Sequence, residues 1–140
     1  MIRVVLDTNV IVAAARSRRG ASHALLRRVA PEADFRIVVS VPLVLEYEMA
    51  LRRRTELEVA DAEALVDYLC LVGDKQPIYY LWRPFLRDPG DEMVLEVAVG
   101  GSAEAIVTHN LRDYDGVEDQ FGVRILTPSA FLAELEDRAP

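Results

Sequence analysis

Acidic side chains occur in four separate stretches of the chain, where their chemistry is that of a site for a hard cation. They and their polar neighbours are Asp7 with Thr8 and Asn9, Glu46 and Glu48, Asp88 and Asp91, and Thr108 with Asn110, Asp113 and Asp115. Carboxylates that are brought together repel one another, and their pKa values rise unless a positive charge lies between them. A divalent cation removes this repulsion, and oxygen-only ligands without cysteine or histidine pairs at zinc spacing favour Mg²⁺ or Mn²⁺. Such an ion can activate a water and stabilise charge on a phosphate, which indicates phosphodiester hydrolysis.

The first of these stretches, residues 2–9, indicates where such a site would form. Residues 2–6 are a nearly continuous apolar run, which is typical of a strand buried on both faces of a parallel sheet. Asp7 follows directly, and ligands of open α/β sheets bind outside the carboxyl ends of the strands. The alternative is that Asp7 only caps the helix that follows.

The second stretch lies on a helix that is predicted to start near Pro42 and to run to about Arg54. The apolar seam of this helix is centred on Tyr47, and Glu46 and Glu48 flank it at similar angles on opposite sides. Periodicity therefore does not decide which glutamate faces a site. Both can equally be ordinary solvated side chains.

The third stretch has the chemistry of a helix start. Asp88 precedes Pro89, as an N-cap does before a proline at the first helical position, and Asp91 then resembles the acid of a capping box. Helix capping alone would explain both acids. The functional interpretation is that Asp91 points from the first turn into the site.

The fourth stretch follows a short predicted strand at residues 105–107. The hydroxyl of Thr108 can hold a metal-bound water or a phosphate oxygen, and Asn110 and Asp113 follow in a loop or short turn. His109 is a candidate ligand or base, which we interpret as a loop residue beside the site.

The elements that would position these residues alternate between strands and helices. Strands are predicted at residues 2–6, 35–39, 105–107 and 123–126, and helices at 10–15, 21–29, 42–54, 59–72, 91–99 and 128–135. Residues 76–87, which contain two prolines, are predicted to be mainly extended. This alternation predicts a three-layer α/β domain with a mainly parallel central sheet. The length of 140 residues suits one domain, residues 1–140.

The composition limits the classes of partner and location. A formal net charge of -7 argues against nucleic-acid binding through overall charge. Arginines cluster at 16, 18 and 19, at 27 and 28, and at 52–54, where they can contact phosphates locally or form solvated helix ends. The single cysteine, Cys70, excludes an intramolecular disulfide and is expected to be buried. Because no stretch resembles a membrane span or a secretory signal, we expect a cytoplasmic protein without a membrane partner.

Five motifs in order resemble the PIN domain family, and within it the small bacterial and archaeal proteins similar to VapC-type toxins. The motifs are Val4-Val-Leu-Asp-Thr-Asn-Val-Ile, Val44-Leu-Glu-Tyr-Glu, Arg87-Asp-Pro-Gly-Asp, Ile106-Val-Thr-His-Asn and Arg124-Ile-Leu-Thr-Pro-Ser-Ala-Phe-Leu. The resemblance covers essentially the whole chain and implies a PIN-like fold.

The resemblance also implies a function, a Mg²⁺- or Mn²⁺-dependent endoribonuclease, with RNA as its substrate and 5′-phosphate and 3′-hydroxyl products. Metal ligands carry over to Asp7, Glu46 and Asp91, which favours Glu46 over Glu48. A further acid of the family falls on Asn110 in one alignment and on Asp113 in another, and we expect Asp113. The polar neighbours in the substrate-binding part of the site would be Thr8, Asn9, Thr108 and Asn110.

Partners follow from the same resemblance. Toxins of this type are blocked by a small antitoxin that covers the acids, and they tend to form homodimers. A cognate antitoxin and a homodimer are therefore expected for this chain.

Two other functions compete with the nuclease. A haloacid-dehalogenase-like phosphatase would use Asp7 as a nucleophile, but it would need a second aspartate where this chain has Asn9. A PIN-like scaffold that binds RNA or a protein without cutting is the other alternative, and Asn110 in an acidic position is the reason to consider it.

Overall fold

The first strand lies at the centre of a parallel sheet, as its apolar run predicts. The computed structural model describes residues 1–78 and 84–138, so the prediction for residues 76–87 falls partly outside the described residues. The strands are β1 (Ile2–Leu6), β2 (Phe35–Val39), β3 (Asp74–Lys75), β4 (Ala105–Val107) and β5 (Arg124–Leu126). The helices are α1 (Thr8–Arg16), α2 (Ala21–Arg27), α3 (Val41–Arg54), α4 (Val59–Val72), α5 (Pro89–Gly100), α6 (Val117–Phe121) and α7 (Pro128–Arg138), with a 3-10 helix at Leu111–Tyr114.

The strands are ordered β3-β2-β1-β4-β5, and each described pair is parallel. The chain moves to one side of β1 to form β2 and β3 and then returns to the other side for β4 and β5. Because crossovers between parallel strands are right-handed, this reversal puts connecting helices on both faces of the sheet. The predicted three-layer α/β fold is confirmed.

The same reversal creates a crevice at the carboxyl ends of β1 and β4. The ladder between these strands extends to Asp7, whose backbone N–H donates to the carbonyl of Val107 at 2.9 Å. One residue further, the backbone N–H of Thr108 donates to the carbonyl of Leu126 on β5 at 2.8 Å. Asp7 and Thr108 therefore end neighbouring strands at the topological switch point, where open α/β sheets bind their ligands.

Helix α3 is fixed against the same edge of the sheet. Its buried residues include Leu43, Tyr47 and Leu51, which are members of the predicted seam. The hydroxyl of Tyr47 donates to the carbonyl of Leu6, the last residue of β1. This bond holds the face of α3 that carries Glu46 beside the end of the central strand.

The segment before α5 is held by a buried carboxylate that the sequence does not single out. Both side-chain oxygens of Glu92 accept backbone hydrogen bonds, from Phe85 at 3.0 Å and from Leu86 at 2.8 Å. These bonds offset the cost of burying a charged group and fix the chain just before the first turn of α5.

Two helices begin two residues earlier than their apolar patterns predict, because an aspartate caps each of them. Helix α1 begins at Thr8 rather than at residue 10, directly after Asp7. Helix α5 begins at Pro89, directly after Asp88, as the capping pattern predicts and two residues before the start that apolar periodicity gives. Apolar periodicity marks the part of a helix that faces the core, so it misses a polar first turn.

Short elements and one side chain also differ from the prediction. The two-residue strand β3 and the five-residue helix α6 are too short to show a period, and the sequence does not predict them. Cys70 on α4 is half-buried, so the expectation of a buried thiol is wrong. None of the helices in the described residues combines the length and apolarity that a bilayer crossing requires.

Gly101 provides a test of the packing that positions α5. A Cβ at this residue would lie 2.6 Å from Cγ1 of Val38 on β2 and 3.0 Å from the carbonyl of Val97. We expect Gly101→Ala to lower the free energy of unfolding by about 1–3 kcal/mol, because the helix must move away from the sheet. Gly20→Ala is the control, since nothing lies within 4 Å of a Cβ there. Equal urea-unfolding free energies for the two variants would contradict this packing.

Candidate active site

The Asp7 carboxylate is buried at the end of β1, with 6% of its surface exposed, and is surrounded by hydrogen-bond donors. Its Oδ1 accepts from the backbone N–H of Thr8 at 2.7 Å. Its Oδ2 accepts from the hydroxyls of Thr108 at 2.8 Å and Tyr114 at 3.0 Å and from the side-chain amide of Asn9 at 3.2 Å. Burial raises the pKa of Asp7 above its ordinary value, although the hydrogen bonds oppose this shift. Asp7 therefore caps α1 and also faces the crevice.

Thr108 connects the ends of β1 and β4. Its fully buried hydroxyl donates to Asp7 and accepts from the side-chain amide of Asn9 at 3.2 Å and from the backbone N–H of Asn110 at 3.0 Å. The side-chain carbonyl of Asn9 in turn accepts from the backbone N–H of His109 at 3.1 Å. These polar neighbours form a network behind the acids, and Thr108 acts through Asp7 rather than from the cleft surface.

Asp91 and Asp88 have different roles in the first turn of α5. Oδ1 of Asp88 accepts from two backbone N–H groups of that turn, at 2.7 and 3.3 Å, so Asp88 is the cap. The side chain of Asp91 instead extends to the hydroxyl of Tyr114, which lies 3.4 Å from its Oδ1. Burial and the negative charges of Asp7, Asp88 and Asp113 raise the pKa of Asp91 to about 6. Asp91 is thus a carboxylate held among other carboxylates.

The two glutamates of α3, which periodicity does not separate, have different surroundings. Glu46 lines the cleft that contains Asp7 and Asp91. Glu48 accepts from Arg52 at 3.1 Å in an ion pair one helical turn away. The geometry therefore brings Glu46, and not Glu48, together with the other acids.

The sequence-predicted site residues converge on one cleft of about 210 Å³. The cleft is lined by Asp7, Thr8, Asn9, Glu46, Arg54, Asp88, Gly90, Asp91, Asn110 and Asp113. Thr108 is the one predicted site residue that does not line the cleft, because it is buried against Asp7. Both candidates for the fourth position, Asn110 and Asp113, are present, and only Asp113 adds negative charge near Asp7 and Asp91.

Two candidates from the fourth stretch lie away from this cleft. The Nε2 of His109 is 2.6 Å from the hydroxyl of Ser22 on α2, so its ring is engaged outside the cleft. Asp115 lines a neighbouring hollow together with Arg112. The interpretation of His109 as a loop residue beside the site agrees with this placement.

The donor set of the cleft suits a hard divalent cation. The facing groups are carboxylate and amide oxygens, and the mutual repulsion of the carboxylates contributes to the raised pKa values of Asp7 and Asp91. As the side chains stand, no three His, Cys, Asp or Glu residues within the described ranges are close enough together to hold a metal ion. The chemistry of the donors therefore fits Mg²⁺ or Mn²⁺, and the acids would have to move closer to coordinate it.

Sequence reasoning misses Tyr114 as a site residue, and it identifies Arg54 only as part of a cluster that can contact phosphates locally. Tyr114 is buried and contacts both Asp7 and Asp91, and desolvation together with these charges raises its pKa far above the ordinary value. Arg54 puts a cation at the edge of the acidic cleft. The signals available were an aromatic residue directly after Asp113 and a run of three arginines, and neither identifies a contact.

The raised pKa of Asp91 gives the metal-free protein a testable pH dependence. The unfolded chain releases this proton near pH 3.8 and the folded protein near pH 6, so the contribution of Asp91 to stability is present at low pH and is lost as the pH rises through about 6. We expect Asp91→Asn to have a higher Tm than the unsubstituted protein at about pH 7.5 in EDTA, and this difference to shrink toward about pH 5.

The control for this experiment is Asp67→Asn, which removes an exposed aspartate of α4. Thermal unfolding followed by circular dichroism is the measurement. A neutral-pH Tm of Asp91→Asn below that of the unsubstituted protein would show that the charge of Asp91 is stabilised rather than repelled.

Comparisons with known proteins agree with this fold. The structure of VapBC-1 from nontypeable Haemophilus influenzae matches at 14% identity with a TM-score of 0.60, over 91% of this chain and 99% of that one. The structure of VapBC2 from Rickettsia felis bound to a promoter DNA fragment matches at 14% identity with a TM-score of 0.58. The match covers 89% of this chain and 97% of that one. The structure of FitAcB from Neisseria gonorrhoeae matches at 16% identity with a TM-score of 0.54, over 90% of this chain and 98% of that one. At sequence identities this low, these matches show a shared fold and nothing more.

The sequence comparisons identify the family. No curated protein matches the chain significantly. The family model described as PIN domain matches residues 3–112, a range that includes Asp7, Glu46 and Asp91 and ends one residue before Asp113. Because this match covers most of the sequence, the chain belongs to the PIN domain family.

Proposed function

We propose that this chain is a metal-dependent endoribonuclease that hydrolyses RNA phosphodiester bonds and that it is the toxin of a toxin–antitoxin pair. The observation that carries the proposal is the convergence of Asp7, Glu46, Asp91 and Asp113, from four separate segments, on one cleft at the switch point of the sheet. Membership of the PIN domain family supports the same function.

Asp7 and Asp91 are the residues that would hold a Mg²⁺ or Mn²⁺ ion, with Glu46 and Asp113 completing the set or orienting a water. When bound, such an ion supplies a water of lowered pKa and a positive charge beside the phosphate. The two carboxylate oxygens of Asp7 differ in how readily they could bind the ion. In the described residues Oδ2 accepts from three side-chain donors, whereas Oδ1 accepts one backbone bond and keeps a free lone pair.

The donors around Asp7 would fix this carboxylate before substrate arrives. Three side chains from different elements hold its Oδ2, so its orientation does not depend on solvent. Hydrogen bonds to a ligating carboxylate orient it and tune its basicity. Tyr114 also approaches Asp91 and so keeps the two carboxylates on the same side of the cleft.

Partners are proposed on a different basis. The VapBC structures share the fold of this chain, and the motif pattern resembles VapC-type toxins. Both support a cognate antitoxin as partner. The motif resemblance alone supports the proposals that this antitoxin covers the acids and that the chain forms a homodimer. An RNA substrate agrees with the cytoplasmic location expected from the sequence.

A PIN-like scaffold that binds RNA or a protein without cutting is the second candidate. Two observations favour it, namely the absence of a closed metal-binding group among the described residues and the presence of Asn110 in the cleft. The phosphatase alternative is disfavoured, because the side chain of Asn9 occupies the place of its second aspartate and is engaged by Asp7 and His109.

Cleavage of end-labelled RNA with Mg²⁺ or Mn²⁺ tests the nuclease directly. We expect Asp7→Asn and Glu46→Gln each to lower the rate by about a hundredfold or more, because each removes charge from the metal-binding set. Glu48→Gln is the matched control, since Glu48 lies on the same helix and pairs with Arg52. It should leave the rate within about twofold, as surface ion pairs contribute little.

Other outcomes would decide against the proposal. RNA binding without cutting, at any metal concentration, would favour the scaffold. Cutting that persists in Asp7→Asn would indicate that the cleft is not the site of hydrolysis.

Tyr114→Phe tests the positioning of Asp7. It removes one hydroxyl donor and keeps the buried ring, so we expect the apparent Mn²⁺ affinity and kcat to fall about 10- to 100-fold. Tyr68→Phe is the control, because its hydroxyl donates to the backbone of Val29 away from the cleft. Isothermal titration with Mn²⁺ gives the affinity. An unchanged affinity in Tyr114→Phe would show that this hydroxyl does not position the acids.

A further inference from the structure

The acidic cleft continues into two hollows between α1 and α3. The nearer hollow, of about 410 Å³, shares Asn9 and Arg54 with the cleft and is also lined by Arg16 and Ser17. The farther hollow, of about 560 Å³, shares Arg16 and Arg54 with the nearer one and adds Arg53. Since each space shares residues with the next, they form one surface groove that leads away from the acids. We call it the arginine groove and define it by Arg16, Arg53 and Arg54.

The three arginines of the groove are exposed, and within the described residues their side chains form no hydrogen bond or ion pair. The neighbouring arginine of α3 is neutralised instead. Arg52, next in sequence, pairs with Glu48 at 3.1 Å and with Glu63 at 3.0 Å. A chain with a net charge of -7 therefore keeps three positive charges unpaired beside its most acidic cleft.

The helix dipole explains only part of this arrangement. Cations are favourable at helix C-termini, and all three arginines lie in the last turn of α1 or α3. The dipole does not require the two helix ends to lie side by side or their cations to line a groove that opens on the site. One carboxylate, Glu56, also lines the farther hollow, and it is exposed.

We propose that Arg16, Arg53 and Arg54 bind consecutive phosphates of the RNA strand on one side of the bond that is cut, an inference that rests on the proposed nuclease function. Guanidinium groups bind phosphate oxygens in a bidentate manner, which makes arginine well suited to this role. The acids of the cleft repel a polyanion, so the substrate must gain its affinity outside the cleft. Arg54, which borders both spaces, holds the phosphate next to the reacting one.

The other hollow beside the cleft is a poorer path for RNA. It is lined by four aspartates and by two arginines, Arg87 and Arg112. The four aspartates are Asp88, Asp91, Asp113 and Asp115. Its carboxylates outnumber its cations, whereas the arginine groove has three cations and a single carboxylate. The strand should therefore leave the cleft through the arginine groove.

The test compares two triple variants in the Asp7→Asn background, which keeps the RNA intact during a binding measurement. Arg16→Ala, Arg53→Ala and Arg54→Ala remove the groove cations. Arg27→Ala, Lys75→Ala and Arg138→Ala remove the same charge from exposed positions elsewhere. Binding of a fluorescein-labelled, mixed-sequence single-stranded RNA is followed by anisotropy over a range of salt concentrations. Because all six positions are exposed, the thermal unfolding of both variants should stay close to that of the parent.

We expect the groove variant to bind RNA at least about tenfold more weakly at low salt. The slope of log K against log salt should become shallower by about 2, because each phosphate contact to a single strand contributes about 0.7 to that slope. The control variant should keep the parental slope. Equal losses in the two variants would show that only net charge matters and would overturn the proposal. An unchanged slope in the groove variant would overturn it as well, and selective loss of binding to polyglutamate instead of RNA would assign the groove to an acidic protein.

Cleavage assays without the Asp7 substitution separate this proposal from the proposed function. If the protein cuts RNA, the groove variant should raise KM and the control variant should not. Cutting with an unchanged KM in the groove variant would refute the arginine groove and leave the nuclease standing. Absence of cutting in the unsubstituted protein would refute the nuclease itself.

Discussion

The burial of one carboxylate, Asp7, at the end of the central strand is the constraint on which the rest of the site depends. A buried charge is costly unless hydrogen bonds and a counter-charge compensate it. Thr8, Thr108, Tyr114 and Asn9 supply the hydrogen bonds, and they come from three different parts of the chain. The remaining desolvation still raises the pKa of Asp7, so the fold keeps an acid that gains from the arrival of a cation.

The sheet topology brings the other site residues to this buried carboxylate. The strand order β3-β2-β1-β4-β5 places the ends of β1 and β4 side by side, and this brings Thr108 to Asp7. Helix capping by Asp88 leaves Asp91 facing the same crevice, and the bond from Tyr47 to Leu6 holds Glu46 beside it. The carboxylates gathered in this way attract a metal ion but repel the phosphates of RNA. The unpaired arginines at the ends of α1 and α3 are proposed to bind those phosphates and so to compensate for this repulsion.

The sequence predicts the site residues that local patterns mark. It does not predict those whose roles depend on contacts between distant segments. Asp7 is predictable because an acid directly follows a buried apolar run. Glu46 and Glu48 are equivalent by periodicity, and only the position of Arg52 and the cleft separates them. Tyr114 lies 107 residues from Asp7 and 23 from Asp91, so no local pattern reports its bonds to them. The short elements β3 and α6 depend on sheet pairing and on flanking turns rather than on periodicity.

The most direct test of the central claim is a crystal structure of the protein with Mn²⁺, with anomalous differences measured at the manganese absorption edge. We expect a manganese peak in the cleft, in direct contact with carboxylate oxygens of Asp7 and Asp91 and with Glu46 or Asp113 in direct or water-mediated contact. A cleft without manganese at concentrations that support RNA cutting, or manganese bound only elsewhere on the surface, would contradict it.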